Sequence, residues 1–346
     1  MNIFFPLLAA HSIFPLNLWS LAFGLFYILC YNFAMYLGDD FKKFLEPQTN
    51  RRDFILNWLS ARGVKTAVMP IDGHEHICVV FPKESYSPLF KIKTVIAHYD
   101  IFPGSPGAND NTSSVFCLMN WAARLYNSGI RHNVRLIFTD GEEIASVRKD
   151  SEPAQKSFSA ENPVSAQGAF GLANVFKRLN IVDDDVYVFD CVGRGTVPVL
   201  SKSFVPLKAG SKFRNSFFSI ESRIARILRS SCDGKFVSLP VPYSDNAGFL
   251  AHGIAAVAVT MLPVDEANEY MFNLVRFPYL EDFVLNRKVP QDVEKSFLEK
   301  MIPASWKKFH TRQDNFDSLT EESFVMMEKI LQNLAVLKIP CLRCFD

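Results

Sequence analysis

The stretch KTVIAHYDIFPGSPGANDNTSSVFCLMNWAARLYNSG (93–129) reads as a short strand, a loop rich in Gly, Pro and Asn, and a helix. The apolar run VRLIFTDGEE (134–143) predicts a second strand, and DVYVFDCVG (185–193) predicts a third after another helical segment. Strands that alternate with helices indicate an α/β fold with substantial parallel content. Each of these strands runs into acidic or histidine residues, and ligands bind beyond the carboxyl ends of strands in such sheets. We therefore expect the functional site at that edge.

The remaining segments extend the same fold class. VKTAVMPI and HICVVFP (64–71 and 76–82) are β-branched runs separated by DGHE, which indicates a hairpin and makes the predicted sheet mixed. IAAVAVTML (254–262) predicts another buried strand. The expected architecture is a mixed, mostly parallel central β-sheet flanked by helices in a three-layer sandwich.

Apolar residues at helical spacing predict where the helices lie. Two other segments lack this spacing. Residues 146–168 are polar and rich in Ser, which predicts a surface loop, and the stretch after residue 265 predicts irregular structure. Thr320 should begin the last helix as part of a capping box. Helices are predicted over 51–63, 113–129, 169–181, 216–231 and 320–339.

The composition is that of an ordinary globular protein. Of the 346 residues 49% are hydrophobic and 21% are charged, and the net charge is +1, so no basic stripe indicates a nucleic-acid partner. The seven cysteines are scattered and odd in number, which predicts mostly free thiols. Cys341 and Cys344 form an isolated CxxC, a weak signal for a redox or metal site. We expect a single domain over residues 39–346.

The first 38 residues differ from this domain because they contain no Asp, Glu, Lys or Arg. The run LNLWSLAFGLFYILCYNFAMYL (16–37) is long enough to span a bilayer. It lacks the basic start and the small-residue cleavage site of a signal peptide. If the run is an anchor, the Lys and Arg residues between positions 42 and 52 would leave the domain in the cytoplasm. The alternative is a helix buried against the domain of a cytoplasmic protein.

The first predicted strand ends in an HxD pair, His98 and Asp100. Residues two apart on an extended segment point the same way, and a metal-ligating His commonly donates its second ring N–H to a carboxylate. Asp110 lies in the tight GANDN loop, where one carboxylate could bridge two ions. Both features have a structural alternative, since HxD can arise by chance and Asp110 could cap the helix that begins near Ser113.

The next two strands also end in acids. Glu142 and Glu143 follow an apolar strand as DGEE, and such a pair is costly to bury without a cation, although it could also form a solvated turn. Asp190 lies within VYVFDCVG, where an acid needs a partner, and it is the most informative single residue. His310, in FHTRQDN, becomes a candidate metal ligand only because these other residues are present.

Together, two histidines and three carboxylates suit a pair of Zn²⁺ ions. Two ions could share Asp110 and a water that they activate. A free carboxylate must then take the proton of that water and pass it to the leaving amine, and Glu142 is the candidate general base. The histidines expected to lie outside the site are His74 and His76, beside the hairpin turn, and His132 and His252.

The motifs HYD, GANDN, DGEE, VFDCVG, SDNAGF and FHTRQDN, in this order, resemble those of the M28 family of zinc exopeptidases over about residues 50–337. The resemblance implies a mixed sheet flanked by helices, and removal of N-terminal residues from peptides that have a free N-terminus. The resemblance implies that His98 and Asp190 hold one zinc ion, that Glu143 and His310 hold the other, and that Asp110 bridges them. It also implies that Glu142 is the general base, that Asp100 supports His98, and that Asp245 is an active-site acid.

The chain also departs from the M28 pattern. About twenty polar residues follow the Glu-Glu pair where family members turn almost directly, so substrate specificity does not carry over. DGEE and the HTxxDN form of the last motif resemble the animal-type glutaminyl cyclases, which use one zinc. The Asn of GANDN is typical of the peptidases, and Phe309 stands where the cyclases carry Trp. The hypotheses are a two-zinc aminopeptidase, a one-zinc glutaminyl-peptide cyclotransferase, and a non-catalytic binding protein of the same fold, against which the retained ligands argue.

Overall fold

The computed structural model describes residues 37–143, 164–203 and 209–341. Its strands are β1 (Thr66–Ile71), β2 (His74–Val79), β3 (Lys93–His98), β4 (Val134–Thr139), β5 (Asp185–Phe189), β6 (Val197–Ser201), β7 (Val237–Leu239) and β8 (Ala256–Leu262). They form one sheet in the order β1-β2-β4-β3-β5-β8-β6-β7. The neighbours from β4 to β8 in this order are parallel, and β1, β2 and β6 introduce antiparallel pairs. The predicted mixed, mostly parallel sheet is confirmed.

Alternate residues of each strand point to opposite faces of the sheet. Helices cover both of these faces. α1, α2, α3, α5 and α10 pack on one face, α4 and α6 pack on the other, and α7 to α9 cover the end that carries β6 and β7. The helices are α1 (Asp39–Phe44), α2 (Arg51–Ser60), α3 (Ser113–Ser128), α4 (Gly168–Arg178), α5 (Ser211–Ser231), α6 (Asn246–Ala251), α7 (Val264–Arg276), α8 (Leu280–Val284), α9 (Lys295–Met301) and α10 (Glu321–Val336).

The central strand β3 is buried at every residue and holds the closing helix in place. Lys93, its first residue, donates hydrogen bonds to the carbonyl oxygens of Leu334, Ala335 and Leu337 at the C-terminal end of α10. Burial lowers the pKa of Lys93 to about 7. The carbonyl groups at a helix C-terminus have no partner within the helix, so this amine satisfies three of them and fixes α10 on the sheet.

Several boundaries differ from those predicted. The prediction of irregular structure after residue 265 is wrong, because that stretch contains α7, α8 and α9. The helical period of α7 is obscured in the sequence, since Phe272 and Val275 lie on its solvent side while Ala267 and Tyr270 are buried. Asp190 comes directly after β5 rather than inside it. Short strands β6 and β7 were not predicted from the sequence.

The predicted capping box at Thr320 is also wrong. Thr320 is the N-cap residue of α10, but its side chain makes no capping hydrogen bond and accepts the backbone N–H of Gly195 instead. A tertiary contact has taken the hydroxyl that the local motif would have used.

Three sequence predictions concern residues outside the described part of the chain. They are almost all of the apolar run 16–37, most of the polar loop 146–168, and the second cysteine of the CxxC. None of the helices in the described ranges has both the length and the apolar character needed to cross a membrane.

An aromatic cluster attaches α1 to α3, and it gives a test of the packing. The ring of Phe116 lies 4.8 Å from that of Phe41 and 5.4 Å from that of Phe44, measured between centroids. We expect Phe116→Ala to lower the free energy of unfolding by about 3–5 kcal/mol in urea denaturation, since it leaves a cavity. Leu179→Ala, at a side chain that is 65% exposed, should cost less than about 0.5 kcal/mol. Equal effects of both variants would contradict this packing.

Candidate metal centre

The three parallel strands β3, β4 and β5 bring their polar C-terminal residues to one edge of the sheet. His98 is the last residue of β3 and lies beside Thr139, the last residue of β4. Glu143 follows β4 by a short turn, and Asp190 follows β5 directly. The spatial convergence expected from the strand order is therefore present, since carboxyl ends of parallel strands meet at the same edge.

The loop before α3 carries Asp110 to this edge and is fastened there by its neighbour. Asn111 donates a hydrogen bond of 3.0 Å from its side chain to the carbonyl oxygen of Phe189. Its side-chain oxygen accepts the backbone N–H of Cys191 at 3.1 Å. Asn111 thus binds both sides of Asp190, which places the carboxylates of Asp110 and Asp190 at the same site.

The two oxygens of Asp110 face two different histidines. His98 Nε2 lies 3.3 Å from Asp110 Oδ1 and 3.4 Å from Asp190 Oδ1. His310 Nε2 lies 3.6 Å from Asp110 Oδ2 and 3.0 Å from Glu143 Oε2. Two groups of possible metal ligands result, in each of which the donor atoms lie within 4.8 Å of one another, and Asp110 belongs to both.

The donor atoms of both groups fit zinc. Each group combines an imidazole nitrogen with two carboxylate oxygens, a ligand set that Zn²⁺ binds while keeping a position open. His98 is fully buried, and within the described residues neither ring nitrogen makes a hydrogen bond. Burial alone would lower the pKa of His98, but the carboxylates around it, Asp190 foremost, raise it well above its ordinary value. A metal ion would satisfy the same nitrogen and the same charges.

Asp100 positions the turn that follows β4. Its two oxygens accept the backbone N–H groups of Glu142 at 3.2 Å and of Glu143 at 2.8 Å. The same carboxylate lies 3.5 Å from His98 Nδ1, the nitrogen that faces away from the ligand group. One side chain thereby fixes the backbone of both glutamates and lies beside the ring of His98.

Glu142 lies beside the two ligand groups without belonging to either. Burial raises the pKa of Glu142 well above its ordinary value; His98 opposes this shift, and the nearby Glu143 and Asp190 add to it. Gln167 donates a hydrogen bond of 3.0 Å from its side-chain amide to Glu142 Oε1. Burial thus favours the protonated form of Glu142 in the metal-free protein.

Asp245 is fully buried at the N-terminal end of α6. It accepts a hydrogen bond from the hydroxyl of Thr139, the residue that pairs with His98 in the sheet. Burial raises the pKa of Asp245 to about 7, while the nearby His98 and the Thr139 hydrogen bond act in the opposite direction. The structure therefore places this acid next to the first ligand group.

Two further residues of the site were not predicted. Asp314 is buried and accepts the backbone N–H groups of Asn109 at 2.7 Å and of Asp110 at 3.0 Å, so it holds the bridging loop. It lies in the quoted FHTRQDN motif, but a carboxylate that binds only backbone has no sequence signal of its own. Arg51, assigned from the sequence to a helix, is buried and donates to the carbonyl oxygen of Pro106.

The four histidines that the sequence analysis left outside the site have other contacts. His74 and His76 lie in β2, and the Nδ1 atom of His76 accepts the backbone N–H of Asp140. His132 packs against the ring of Phe81, and His252 bonds within its own helix end. None of the four belongs to the two ligand groups found among the described residues.

Comparisons with known proteins agree with this architecture. The model of peptidase family M28 matches residues 91–335, well over half of the chain. None of the curated proteins compared with the sequence matches it. Similar solved structures are LapA aminopeptidase of Legionella pneumophila (13% identity, TM-score 0.55, 95% of this chain and 77% of that chain), a Zn-dependent exopeptidase of Parabacteroides distasonis (15%, 0.54, 89% and 98%) and a glutaminyl cyclase of Tannerella forsythia (13%, 0.54, 88% and 97%). At these identities the likeness establishes the shared fold.

The acids of this site predict how the metal-free protein responds to pH. Burial raises the pKa of Asp245 and, together with the nearby Asp110, that of Asp314, in both cases to about 7. An acid whose pKa is raised on folding stabilises the fold fully below its ordinary pKa near 4, and this contribution is lost as the pH rises to about 7. We expect metal-free protein to lose on the order of 2–4 kcal/mol of unfolding free energy per such acid between pH 5 and pH 8.

Urea denaturation in the presence of a chelator measures this loss. Asp245→Asn should decline less over the same range than wild type, because its amide does not ionise, whereas the exposed Asp317→Asn should behave as wild type does. An Asp245→Asn variant that declines as steeply as wild type would show that Asp245 is ionised in the folded protein throughout.

Proposed function

The chain belongs to peptidase family M28, and we propose that it is an aminopeptidase that uses two zinc ions to remove N-terminal residues from peptides. The family and the zinc exopeptidases of the same fold support a metal-dependent peptidase. The observation that carries the two-ion proposal is the position of Asp110, whose two oxygens face His98 and His310 separately. A single ion would leave one of these histidines facing carboxylates without a metal.

In this proposal His98 and Asp190 would hold one zinc, Glu143 and His310 would hold the other, and Asp110 would contribute to both. These are the two ligand groups that the geometry brings together. Bound zinc supplies an acidified water and a Lewis acid for the scissile carbonyl. The protein supplies the fixed positions of the donors, mainly through Asp100, which holds His98 and the backbone of Glu143.

Glu142 is the proposed general base. Its carboxyl group accepts a proton during attack on the peptide and then donates that proton to the leaving amine. Its raised pKa suits a group that must hold the proton between these two steps. Asp100 fixes its backbone, so the carboxyl group stays beside the donor groups without competing for them.

Asp245 is proposed as the active-site acid beside the first zinc. It is fully buried and accepts a hydrogen bond from Thr139, the strand neighbour of His98. A cation bound near His98 and Asp190 would favour the ionised form of Asp245, whose negative charge would then help to hold the imidazole and the cation in place.

A glutaminyl cyclase is the second candidate. A bacterial glutaminyl cyclase resembles this chain in fold to the same degree as the exopeptidases do, and the DGEE and HTxxDN motifs also resemble that group. A cyclase would use one zinc and would need Glu142 only as a proton shuttle. A binding protein without catalysis is disfavoured because all five candidate ligand residues and Glu142 lie in one place.

The test is turnover on a peptide panel, together with elemental analysis of zinc. We expect purified protein to release free N-terminal amino acids and to contain two zinc ions per chain. Glu142→Gln should lower kcat by about 10²–10⁴-fold, because it removes the proton acceptor, and should leave the zinc content unchanged.

The outcomes separate the candidates. Cyclisation of N-terminal glutamine with one zinc per chain and no released amino acid would replace the peptidase by the cyclase. Full activity of Glu142→Gln would refute the role of Glu142 as general base. Zinc-free protein that binds peptides without turning them over would support the binding protein.

A further inference from the structure

A buried arginine, Arg51, lies against the loop that leads into the metal centre. It is the first residue of α2 and comes before residues 91–335, the part of the chain that the family model matches. It is 8% exposed, and the central carbon of its guanidinium lies 4.7 Å from the centre of the Phe44 ring. A planar cation packs favourably on the face of an aromatic ring. Phe44, the last residue of α1, therefore supports the guanidinium in one position.

Arg51 donates hydrogen bonds to both ends of a single loop. Its Nη1 donates to the carbonyl oxygen of Tyr99 at 3.3 Å, and its Nη2 donates to that of Pro106 at 2.8 Å. Tyr99 directly follows the candidate ligand His98. Pro106 precedes the other candidate ligand, Asp110, by four residues. One guanidinium thus holds the two ends of the chain segment that separates these ligands.

The segment between the two carbonyl groups has little support of its own. It forms neither helix nor strand, and Pro103 and Gly104 at its centre are exposed. Connecting loops are more mobile than the elements that they join. The position of Asp110 relative to the end of β3 therefore depends on how the ends of this loop are held.

The charge of Arg51 also acts on the acids of the site. Burial lowers the pKa of Arg51 to about 10, and nearby carboxylates oppose this shift. The guanidinium therefore stays charged near neutral pH. It compensates part of the repulsion among buried acids before any metal binds. The opposing carboxylates are those of Asp100, Asp314, Asp110 and Glu143.

The two ligand groups depend on Asp110 to different degrees. In the first group, His98 ends β3 and Asp190 directly follows β5, so the sheet fixes both. In the second group, Glu143 lies on the turn after β4 and His310 lies in a loop. A displaced Asp110 should therefore disturb the second group more than the first.

We propose that Arg51 is a positioning residue of the metal centre: its two hydrogen bonds set the separation of His98 and Asp110, and thereby the affinity for the metal ion of the second group. This inference rests on the proposed two-ion site. Lysine could replace the charge of Arg51, but it lacks the planar fork that reaches two carbonyl groups at once.

The test is Arg51→Lys, with the zinc affinity of the folded protein measured by competition with a chelating indicator. We expect the second ion to bind about 10- to 100-fold more weakly than in wild type, as when other residues behind metal ligands are replaced. The first ion should lose less affinity, since the sheet holds two of its ligands. Folding is checked by urea denaturation.

A matched control is Arg223→Lys. Arg223 binds both carboxylate oxygens of Asp185 with its fork, at the opposite end of β5 from Asp190. The control therefore loses the same kind of contact at a distance from the ligand groups, and it should keep the wild-type affinity for both ions. Equal losses of zinc affinity in the two variants would reflect a general loss of stability and would overturn the proposal.

A second variant keeps the proposal testable if Arg51→Lys does not fold. Phe44→Leu retains Arg51 and an apolar side chain but removes the ring that supports the guanidinium. We expect the second ion to bind about threefold more weakly, as for the loss of one cation–π contact. In that case, wild-type zinc affinity in Phe44→Leu would overturn the proposal.

The proposal and the proposed function fail in different ways. If wild type releases no amino acid from any peptide, the peptidase is refuted and the zinc affinities still test Arg51. If wild type binds one ion, the two-ion function is refuted, and Arg51→Lys must still weaken that ion at least about tenfold, because Asp110 belongs to both groups. In either case, folded Arg51→Lys with wild-type zinc affinity would show that Arg51 does not position Asp110.

Discussion

The structure depends on one constraint: several carboxylates converge at a buried sheet edge, where their mutual repulsion requires compensating positive charge. Among the described residues, Asp110, Asp190 and Glu143 lie near two imidazoles, those of His98 and His310. Isolated carboxylates are costly to bury, and their charge is tolerated when a cation binds among them. This requirement supports the proposed zinc ligation over a structural role for the cluster, and it depends on the residues together rather than on any one of them.

The surrounding protein meets this constraint with backbone hydrogen bonds to acids that are not ligands. Asp100 accepts two N–H groups from the turn that carries Glu142 and Glu143, and Asp314 accepts two from the loop that carries Asp110. These acids therefore fix the ligands by binding their main chain. Hydrogen bonds to these two acids therefore orient the candidate ligands, as residues behind the ligands do in other metal sites.

The sequence predicted the parts of the site that follow from strand order, and missed the parts that follow from tertiary contacts. His98 and Asp190 end apolar strands, and parallel strands bring such ends together, so their proximity was foreseeable. Asp314 lies in a loop and Gln167 lies at the start of α4. They bind backbone or a single side chain, which leaves no periodic pattern in the sequence. The amphipathic period of α7 was hidden for a similar reason, because its solvent side also carries apolar residues.

The central claim is that Asp110 serves two cations at once. Crystals of the zinc-loaded protein, measured at the zinc absorption edge, test it most directly by anomalous scattering. The account predicts two anomalous peaks about 3.5–4 Å apart, with one oxygen of Asp110 on each and with His98 and His310 on opposite ions. A single peak that binds His98 or His310 alone, or two peaks with Asp110 on only one, would contradict it.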